Sequence, residues 1–197
     1  MSAVGLQLYD GQGRRKYLTA DERRAFLKAA GDADRGVRTL CLTLAYTGCR
    51  ISEALALTID RVDLEAGVIV FESLKKRRDG LYRAVPVPPE VLDALDLVHG
   101  VREARKGRDR GRSIRLWPWS RATAWRRVTA VMQAAGLDGP QATPKGLRHG
   151  FGVAAVNAGI PLNMVQKWLG HAQLSTTAIY ADAVGAEEQA IASRMWA

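Results

Sequence analysis

One stretch of the sequence has the pattern of a β-hairpin, within a chain whose remaining pattern is helical. Residues 68–71 and 81–87 are rich in the β-branched and aromatic side chains that strands favour. Asp79-Gly80, which lies between them, is a dipeptide typical of a tight turn. In residues 35–46, by contrast, apolar side chains recur at the spacing of one helix face. We therefore predict a mainly α protein with one small β-hairpin or sheet, which is an α+β fold.

Capping residues mark where several helices begin and end. Thr19 and Glu22 have the spacing of a capping box, which opens a helix. Thr143 followed by Pro144 is typical of a helix start, and Gly48 is typical of a helix end. The predicted helices cover residues 19–30, 35–46, 51–57, 88–98, 120–135, 143–158 and 161–170, with a further helix capped by Ser175 that carries Tyr180. The Arg-rich segment 102–115 is predicted to be a loop or an extended insertion.

The chain is basic, with 29 Lys and Arg against 20 Asp and Glu and a net charge of +9. Such an excess favours a polyanionic partner, either nucleic acid or an anionic membrane surface. The basic residues fall into three clusters, at residues 75–83, 102–115 and 121–127. Each cluster alone is typical of a solvated face, but three clusters in 197 residues favour phosphate binding. The sequence has no apolar run of about 18 residues, so we expect no membrane span.

Several common kinds of active site have no counterpart in the sequence. It has no phosphate-binding P-loop, no Gly-rich dinucleotide fingerprint and no G-x-S-x-G nucleophile motif. His99, His149 and His171 are dispersed and lack acidic or cysteine partners at metal-ligand spacing. Cys41 and Cys49 lie in an apolar helical stretch, where we expect them to be core residues. We therefore expect neither a metal nor an organic cofactor.

Two short polar motifs place cations close to predicted helix starts. Arg50 follows the break at Gly48, and Glu53 stands three residues further on, where its carboxylate can orient the guanidinium. The alternative is a surface ion pair of little consequence. Lys145 and Arg148 lie in the first turn of the helix that starts at Pro144. Cations at a helix N-terminus oppose the helix dipole unless an anion binds there, so this motif favours a phosphate.

The last motif ends in Tyr180, nine residues after His171. A single helical tyrosine more often packs than reacts. In order and spacing, however, the segments TGCRISEALAL, TPKGLRHGFG and LGHAQLSTTAIY resemble the catalytic domain of the tyrosine recombinases, the phage integrase family. The resemblance runs from about Leu18 to the C-terminus, and it implies the fold of that catalytic domain.

The resemblance implies a role for each matching residue. Arg50 and Arg148 would grip the scissile phosphate, and His171 would hydrogen-bond the phosphate and assist the nucleophile. Lys75, on the hairpin, would be the general acid that protonates the leaving 5′ oxygen. Tyr180 would attack and form a 3′-phosphotyrosyl intermediate. Fixed cations lower the barrier of such a reaction without a metal, and the covalent intermediate conserves the bond energy, so no ATP is needed.

The second motif departs from the family pattern, because Lys145 stands where a histidine is usual. A protonated lysine can donate to a phosphate oxygen but cannot accept a proton, so we expect Lys145 to hold the phosphate; the alternative is that it points to solvent. Glu53 and His149 are expected to support the site from behind. The residues expected to contact DNA are Lys76, Arg77, Arg78, Arg83, Arg108, Arg110, Arg112 and Arg126.

The expected organisation has three parts: an N-terminal extension at residues 1–17, the catalytic domain at 18–185 and an amphipathic helical tail at 186–197. Family members generally carry a separate DNA-binding domain before the catalytic one, so the chain is either a fragment or a minimal member. The expected partner is double-stranded DNA, bound by a homo-tetramer, with accessory DNA-binding proteins a further expectation. The tail would dock on a neighbouring protomer or on its own domain. We expect a cytoplasmic protein of the bacterial nucleoid, encoded by a phage or mobile element.

Two other functions share some of these features. A type IB topoisomerase uses the same chemistry to relax supercoils, but the spacing of the third motif and the tail after Tyr180 favour a site-specific recombinase or integrase. A non-cutting accessory protein or regulator derived from a recombinase is the alternative outside enzymes. Decay to such a protein usually removes the nucleophile or an arginine, and both kinds of residue are present here.

Overall fold

The computed structural model describes residues 8–72, 80–106, 113–182, 189 and 192–195. These residues are mainly helical with a small antiparallel sheet, so the predicted fold class is confirmed. The helices are α1 (Ala20–Gly31), α2 (Arg35–Thr47), α3 (Ile51–Leu55), α4 (Pro89–His99), α5 (Val101–Lys106), α6 (Arg121–Ala134), α7 (Pro144–Asn157), α8 (Leu162–Leu169) and α9 (Ser175–Ala178). The strands are β1 (Val62–Asp63), β2 (Val68–Glu72) and β3 (Tyr82–Pro86). Short 3₁₀ turns form at Ile59–Arg61, Ile179–Asp182 and Ser193–Met195.

The capping residues set the helix boundaries as predicted. Thr19 and Glu22 form a complete capping box at the start of α1, with the Thr19 amide donating to the Glu22 carboxylate at 2.8 Å. The Thr143 hydroxyl accepts from the Gly146 amide at 3.0 Å and so caps α7. Gly48 ends α2 in the left-handed region at φ +59°, and a Cβ there would lie 2.6 Å from the Phe151 ring. Only glycine fits this close turn, which delivers the chain to Arg50.

The sheet has the order β1-β2-β3, and all its pairs are antiparallel. Residues Ile69 and Phe71 of β2 turn to the core, opposite Val85 and Arg83 of β3. β1 was not predicted, because two residues are too few to show the alternation of a strand. The turn between β2 and β3, at residues 73–79, lies outside the described residues.

Helix α2 lies at the centre of the core and packs against α1, α4, α6 and α7. Its residues Leu40, Cys41 and Leu44 are fully buried, as is Cys49 just after it. Burial raises the pKa of both thiols to about 12, which agrees with the prediction that they are core residues. This packing fixes both ends of α2 and therefore the position of the arginine that follows Gly48.

Three local predictions were wrong. The segment from residue 101 begins as helix α5 rather than as a loop, with the Arg102 amide capped by Asp96 at 2.7 Å. Ser175 is the first residue of α9, not its cap, and Tyr180 lies on the following 3₁₀ turn. His99 lies near the end of a predicted helix, where we expect a surface residue, but it is half-buried and hydrogen-bonds the Thr39 hydroxyl at 3.0 Å. These positions depend on tertiary contacts or on very short elements, which a local sequence pattern does not predict.

Residues 8–17, the described part of the expected N-terminal extension, pack against the rest of the molecule. Leu8 and Tyr17 are buried in a second apolar cluster with Val153, Leu169 and Tyr180. Of the expected tail, only residue 189 and residues 192–195 are described, so its docking remains a prediction. Among the described residues, no helix combines the length and apolar content needed to cross a bilayer.

Candidate active site

Arg50 stands immediately before α3, and the carboxylate of Glu53 orients its side chain. Its guanidinium donates to Glu53 Oε1 at 2.8 Å, and its backbone amide donates to Glu53 Oε2 at 2.8 Å. The Glu53 side chain is only 1% exposed, whereas that of Arg50 is 30% exposed. The pair is therefore not a simple surface ion pair, because a buried carboxylate aims a partly exposed guanidinium at the solvent side.

Arg148, the fifth residue of α7, forms hydrogen bonds with two other segments of the site. It is 7% exposed, and its Nη1 and Nη2 donate to the carbonyls of Gly48 at 2.7 Å and Leu169 at 2.8 Å. Burial, and then the charge of Arg50, lower the pKa of Arg148 to about 10, so it remains a cation at neutral pH. A second guanidinium is thereby fixed beside the first.

Tyr180 is completely buried, and its ring packs against the backbone of α7. A Cβ on Gly152 would lie 2.6 Å from three carbons of the Tyr180 ring, so only glycine allows this approach. The Tyr180 hydroxyl is buried without a hydrogen-bond partner among the described residues. Burial raises the pKa of Tyr180, while the charges of Arg148 and Arg50 act in the opposite direction. The phenol is thus protonated at rest beside two cations that favour its ionised form.

His171 follows the left-handed Gly170 that ends α8, and it hydrogen-bonds the Thr177 hydroxyl through Nδ1 at 2.9 Å. Burial, followed by the charges of Arg148 and Arg50, lowers the pKa of His171 to about 3. His149 is more deeply buried, and neither of its ring nitrogens has a partner among the described residues. Burial and the neighbouring Lys145 and Arg148 lower its pKa to about 4. Both imidazoles are therefore neutral at pH 7.

A cleft of about 840 Å³ brings the predicted residues together. Five of the six residues predicted to be catalytic line it: Arg50, Lys145, Arg148, His171 and Tyr180. The lining also includes His149. Lys145 is exposed in the first turn of α7, and burial and the nearby Lys16 lower its pKa. The sixth residue, Lys75, lies outside the described residues.

Helix α6 contributes two lining residues that were not predicted as part of the site, Arg121 and Trp125. They stand four residues apart and therefore share one helix face. This spacing was visible in the sequence, where an arginine and a tryptophan one turn apart in a basic cluster suggest a shared surface. Arg126, which was predicted to contact DNA, is exposed on the same helix but does not line the cleft.

Arg83 is among the residues predicted to contact DNA, but its side chain is buried rather than part of an exposed basic face. It pairs with Glu53 at 2.6 Å, and its Nε donates to the Trp168 carbonyl at 2.7 Å. Its position on β3 opposite Phe71 turns it to the core. The remaining residues predicted to contact DNA lie outside the described residues: Lys76, Arg77, Arg78, Arg108, Arg110 and Arg112.

The described residues contain no group of three or more His, Cys, Asp and Glu side chains that could hold a metal ion. The cleft instead presents guanidinium groups. Glu53 forms ion pairs with Arg50 and Arg83, and the positive charges of Arg50 and Arg148 act on the phenol of Tyr180. Such an arrangement can bind an anion and stabilise additional negative charge on it.

Comparisons with known proteins agree with this geometry. Residues 16–186 match the model of the phage integrase family. The chain is 34% identical over 189 residues to the tyrosine recombinase XerD of Mycobacterium leprae, which covers 85% of this chain and 57% of the relative. It is 31% identical over 170 residues to the tyrosine recombinase XerA of Thermococcus kodakarensis, covering 84% of this chain and 57% of the relative. The chain thus spans little more than half the length of these relatives.

Solved structures give the same fold. The crystal structure of XerA recombinase superimposes with a TM-score of 0.75 at 27% identity, over 91% of this chain and 64% of that one. The XerH site-specific recombinase bound to its difH substrate, in a pre-cleavage complex, superimposes with a TM-score of 0.71 at 24% identity, over 96% of this chain and 60% of that one. The second likeness shows the fold alone.

Proposed function

Because the chain belongs to the phage integrase family, we propose that it is the catalytic part of a site-specific recombinase or integrase. It would cleave and rejoin DNA strands through a 3′-phosphotyrosyl intermediate on Tyr180. The observation that carries this proposal is the convergence of Arg50, Arg148 and His171 on one cleft that also contains Tyr180. The relatives named XerD are similar over most of this chain and support the same activity.

The cleft is lined by four cations, Arg50, Arg121, Lys145 and Arg148, which can stabilise the negative charge of a phosphodiester and of its more negative transition state. Arg50 is partly exposed and lines the cleft, so its guanidinium can donate to a nonbridging oxygen. Arg148 is fixed by two backbone carbonyls and supplies its charge from behind. Preorganised cations of this kind stabilise charge without reorganising during the reaction, and removing one donor typically lowers the rate by about 10²–10³-fold.

The covalent step is balanced within the site. The Tyr180 oxygen forms a bond to phosphorus while the bond from phosphorus to the 5′ oxygen breaks. The phenol proton passes to a neutral acceptor, for which His171 has the required protonation state. The leaving oxygen takes a proton from a general acid, the role we propose for Lys75. A 5′ hydroxyl then reverses the attack, so rejoining needs no ATP.

Lys145 completes this proposal as a phosphate-binding residue in place of the usual histidine. Its exposed position in the lining of the cleft, in the first turn of α7, supports this role. The N-terminal end of a helix attracts an anion, and a lysine at that end can bind the same anion. Lys145 would therefore donate to the phosphate but leave proton acceptance to the imidazoles.

We further propose double-stranded DNA as the partner, bound by a homo-oligomer that the expected tail connects. The basic charge of the chain and the recombinase relatives support the DNA partner. The family resemblance supports the oligomer, as well as a place in the bacterial nucleoid or on a phage or mobile element.

A nicked suicide DNA substrate tests the proposal. The protein should form a covalent DNA adduct that survives a denaturing gel, and Tyr180→Phe should form none. Tyr46→Phe is the matched control, because Tyr46 lies on α2 beneath Arg23 and does not line the cleft. Failure of the wild type to form an adduct with family-type substrates would favour the non-cutting alternative. Relaxation of supercoils without strand exchange would favour the topoisomerase.

A further inference from the structure

A buried ion pair joins the sheet to the active site. The Arg83 guanidinium on β3 approaches Glu53 at 2.6 Å, and the two side chains are 6% and 1% exposed. A second contact of 3.4 Å joins Arg83 Nη1 to the other carboxylate oxygen. Removing two charges from water carries a large desolvation penalty, so the pair is weak evidence of a stabilising role.

Glu53 is shared between two arginines of different exposure. One carboxylate faces Arg50, which lines the cleft, and Arg83, which is buried behind it. One negative charge balances one of these two positive charges. If Arg83 were absent, Glu53 would have only Arg50 as an ion-pair partner among these contacts, and the charge of Arg50 would be cancelled where the phosphate binds.

We propose that Arg83 is a positioning residue that neutralises Glu53, so that Arg50 keeps its charge for the scissile phosphate. This inference rests on the proposed function, because it explains the ion pair by the need of Arg50 to bind a phosphate. Arg83 touches neither the phosphate nor Tyr180 in this scheme. It acts through Glu53 on the orientation and effective charge of Arg50.

Arg83 also holds the segment that carries His171. Its Nε donates to the carbonyl of Trp168, and Arg148 donates to the carbonyl of the next residue, Leu169. The turn at Gly170 then passes close to Arg83, because a Cβ there would lie 3.0 Å from Nη1. The two arginines therefore fix consecutive carbonyls at the end of α8, and Arg83 connects β3 with both Arg50 and His171.

A charge-rescue experiment tests the proposal. Single-turnover cleavage is measured at saturating suicide substrate for the wild type, Arg83→Gln, Glu53→Gln and the double variant. Arg83→Gln should lower the cleavage rate by about 10²-fold, while DNA affinity changes by less than about threefold. Adding Glu53→Gln removes the uncompensated carboxylate and should restore the rate at least about tenfold over Arg83→Gln. The matched control is Arg38→Gln, which removes an exposed arginine on α2 that does not line the cleft and should keep the wild-type rate.

An Arg83→Gln variant with the wild-type rate would overturn the proposal. So would a double variant no faster than Arg83→Gln, because removing the uncompensated carboxylate would then have no effect on Arg50. If Arg83→Gln does not fold, Arg83→Lys keeps the charge and should retain at least about a tenth of the rate. A loss of more than about tenfold in folded Arg83→Lys would also contradict the proposal.

A measurement without DNA separates this inference from the proposed function. Burial alone would raise the pKa of Glu53, but the charge and hydrogen bond of Arg83, followed by those of Arg50, hold it below its usual value. The pKa of the Glu53 carboxyl, followed by its ¹³C chemical shift, should therefore rise in Arg83→Gln. An unchanged pKa would refute the charge coupling even if DNA is cleaved. A missing DNA adduct in the wild type, together with a raised pKa, would instead count against the proposed function.

Discussion

The imidazole of His171 lies nearly parallel to the phenol of Tyr180, with ring centroids 6.1 Å apart and planes 18° apart. A second imidazole, that of His149, lies 5.9 Å from the same phenol at a steeper angle. Burial and nearby cations keep both imidazoles neutral. The ring of the candidate nucleophile is therefore in contact range of two neutral imidazoles, and the charges of Arg50 and Arg148 favour its ionised form.

Gly152 determines how closely Tyr180 packs on α7. Gly152→Ala should destabilise the protein by about 1–2 kcal/mol, because strain against the Tyr180 ring outweighs the better helix propensity of alanine. Urea unfolding measures this change. The control is Gly31→Ala at the end of α1, where a Cβ would meet no atom within 4 Å, and it should be neutral or stabilising. Equal stability of Gly152→Ala and the wild type would show that the Tyr180 ring can move away from α7 at no cost in free energy.

Arg148 has a structural role as well as its proposed catalytic one. Arg148→Lys keeps the charge but cannot reach both the Gly48 and Leu169 carbonyls, so one buried acceptor loses its partner. We expect a loss of about 1–3 kcal/mol in the free energy of unfolding and a cleavage rate at least about 10²-fold lower. Arg38→Lys, at an exposed position on α2, should change the stability by less than about 0.5 kcal/mol. A fully active and stable Arg148→Lys would contradict the bidentate role.

We expect His149 to make the free energy of unfolding depend on pH in the acid range. Its pKa in the folded protein is about 4, below the ordinary value of 6.5, so folding favours the neutral ring. That contribution is complete above about pH 6.5 and is lost as the pH falls towards 4. The stability difference between the wild type and His149→Asn, measured by denaturant unfolding, should therefore shrink between pH 7 and pH 4.5. A difference that is constant over this range would mean that the folded protein does not hold His149 neutral.

Lys145 tests whether a cation can replace the usual histidine. Lys145→Ala should lower the rate of DNA cleavage by about 10–10²-fold, because one donor to the phosphate is lost. Lys145→His should stay within about tenfold of the wild type, since imidazole can also donate a hydrogen bond. Lys28→Ala, on the exposed face of α1, controls for the loss of a positive charge. Wild-type cleavage by Lys145→Ala would favour the alternative in which this side chain points to solvent.

Local features of the sequence predicted the elements that carry the site. Capping residues and glycines act over a few residues, so the starts of α1 and α7 and the end of α2 were predictable. The contact between Arg50 and Glu53 also followed from their spacing. Tyr180 was placed on a regular helix, whereas it lies on a 3₁₀ turn that packing on Gly152 shapes.

Arg83 shows what the sequence could not predict. Its partner Glu53 is 30 residues away, and the pairing depends on how β3 lies against α3 and α8. In the sequence it stood at the end of a run of basic residues, where an exposed face was the natural expectation. Tertiary contacts determine whether a charged residue is buried. A local sequence pattern does not show which distant carboxylate will pair with it.

The central claim is that Tyr180 becomes covalently bonded to DNA. Trapped adduct, digested with nuclease and trypsin and analysed by tandem mass spectrometry, identifies the modified side chain directly. The account predicts a nucleotide phosphate on the peptide containing Tyr180, attached to that tyrosine alone, and no modified peptide from Tyr180→Phe. A phosphate on another residue, or an adduct of equal yield from Tyr180→Phe, would contradict it.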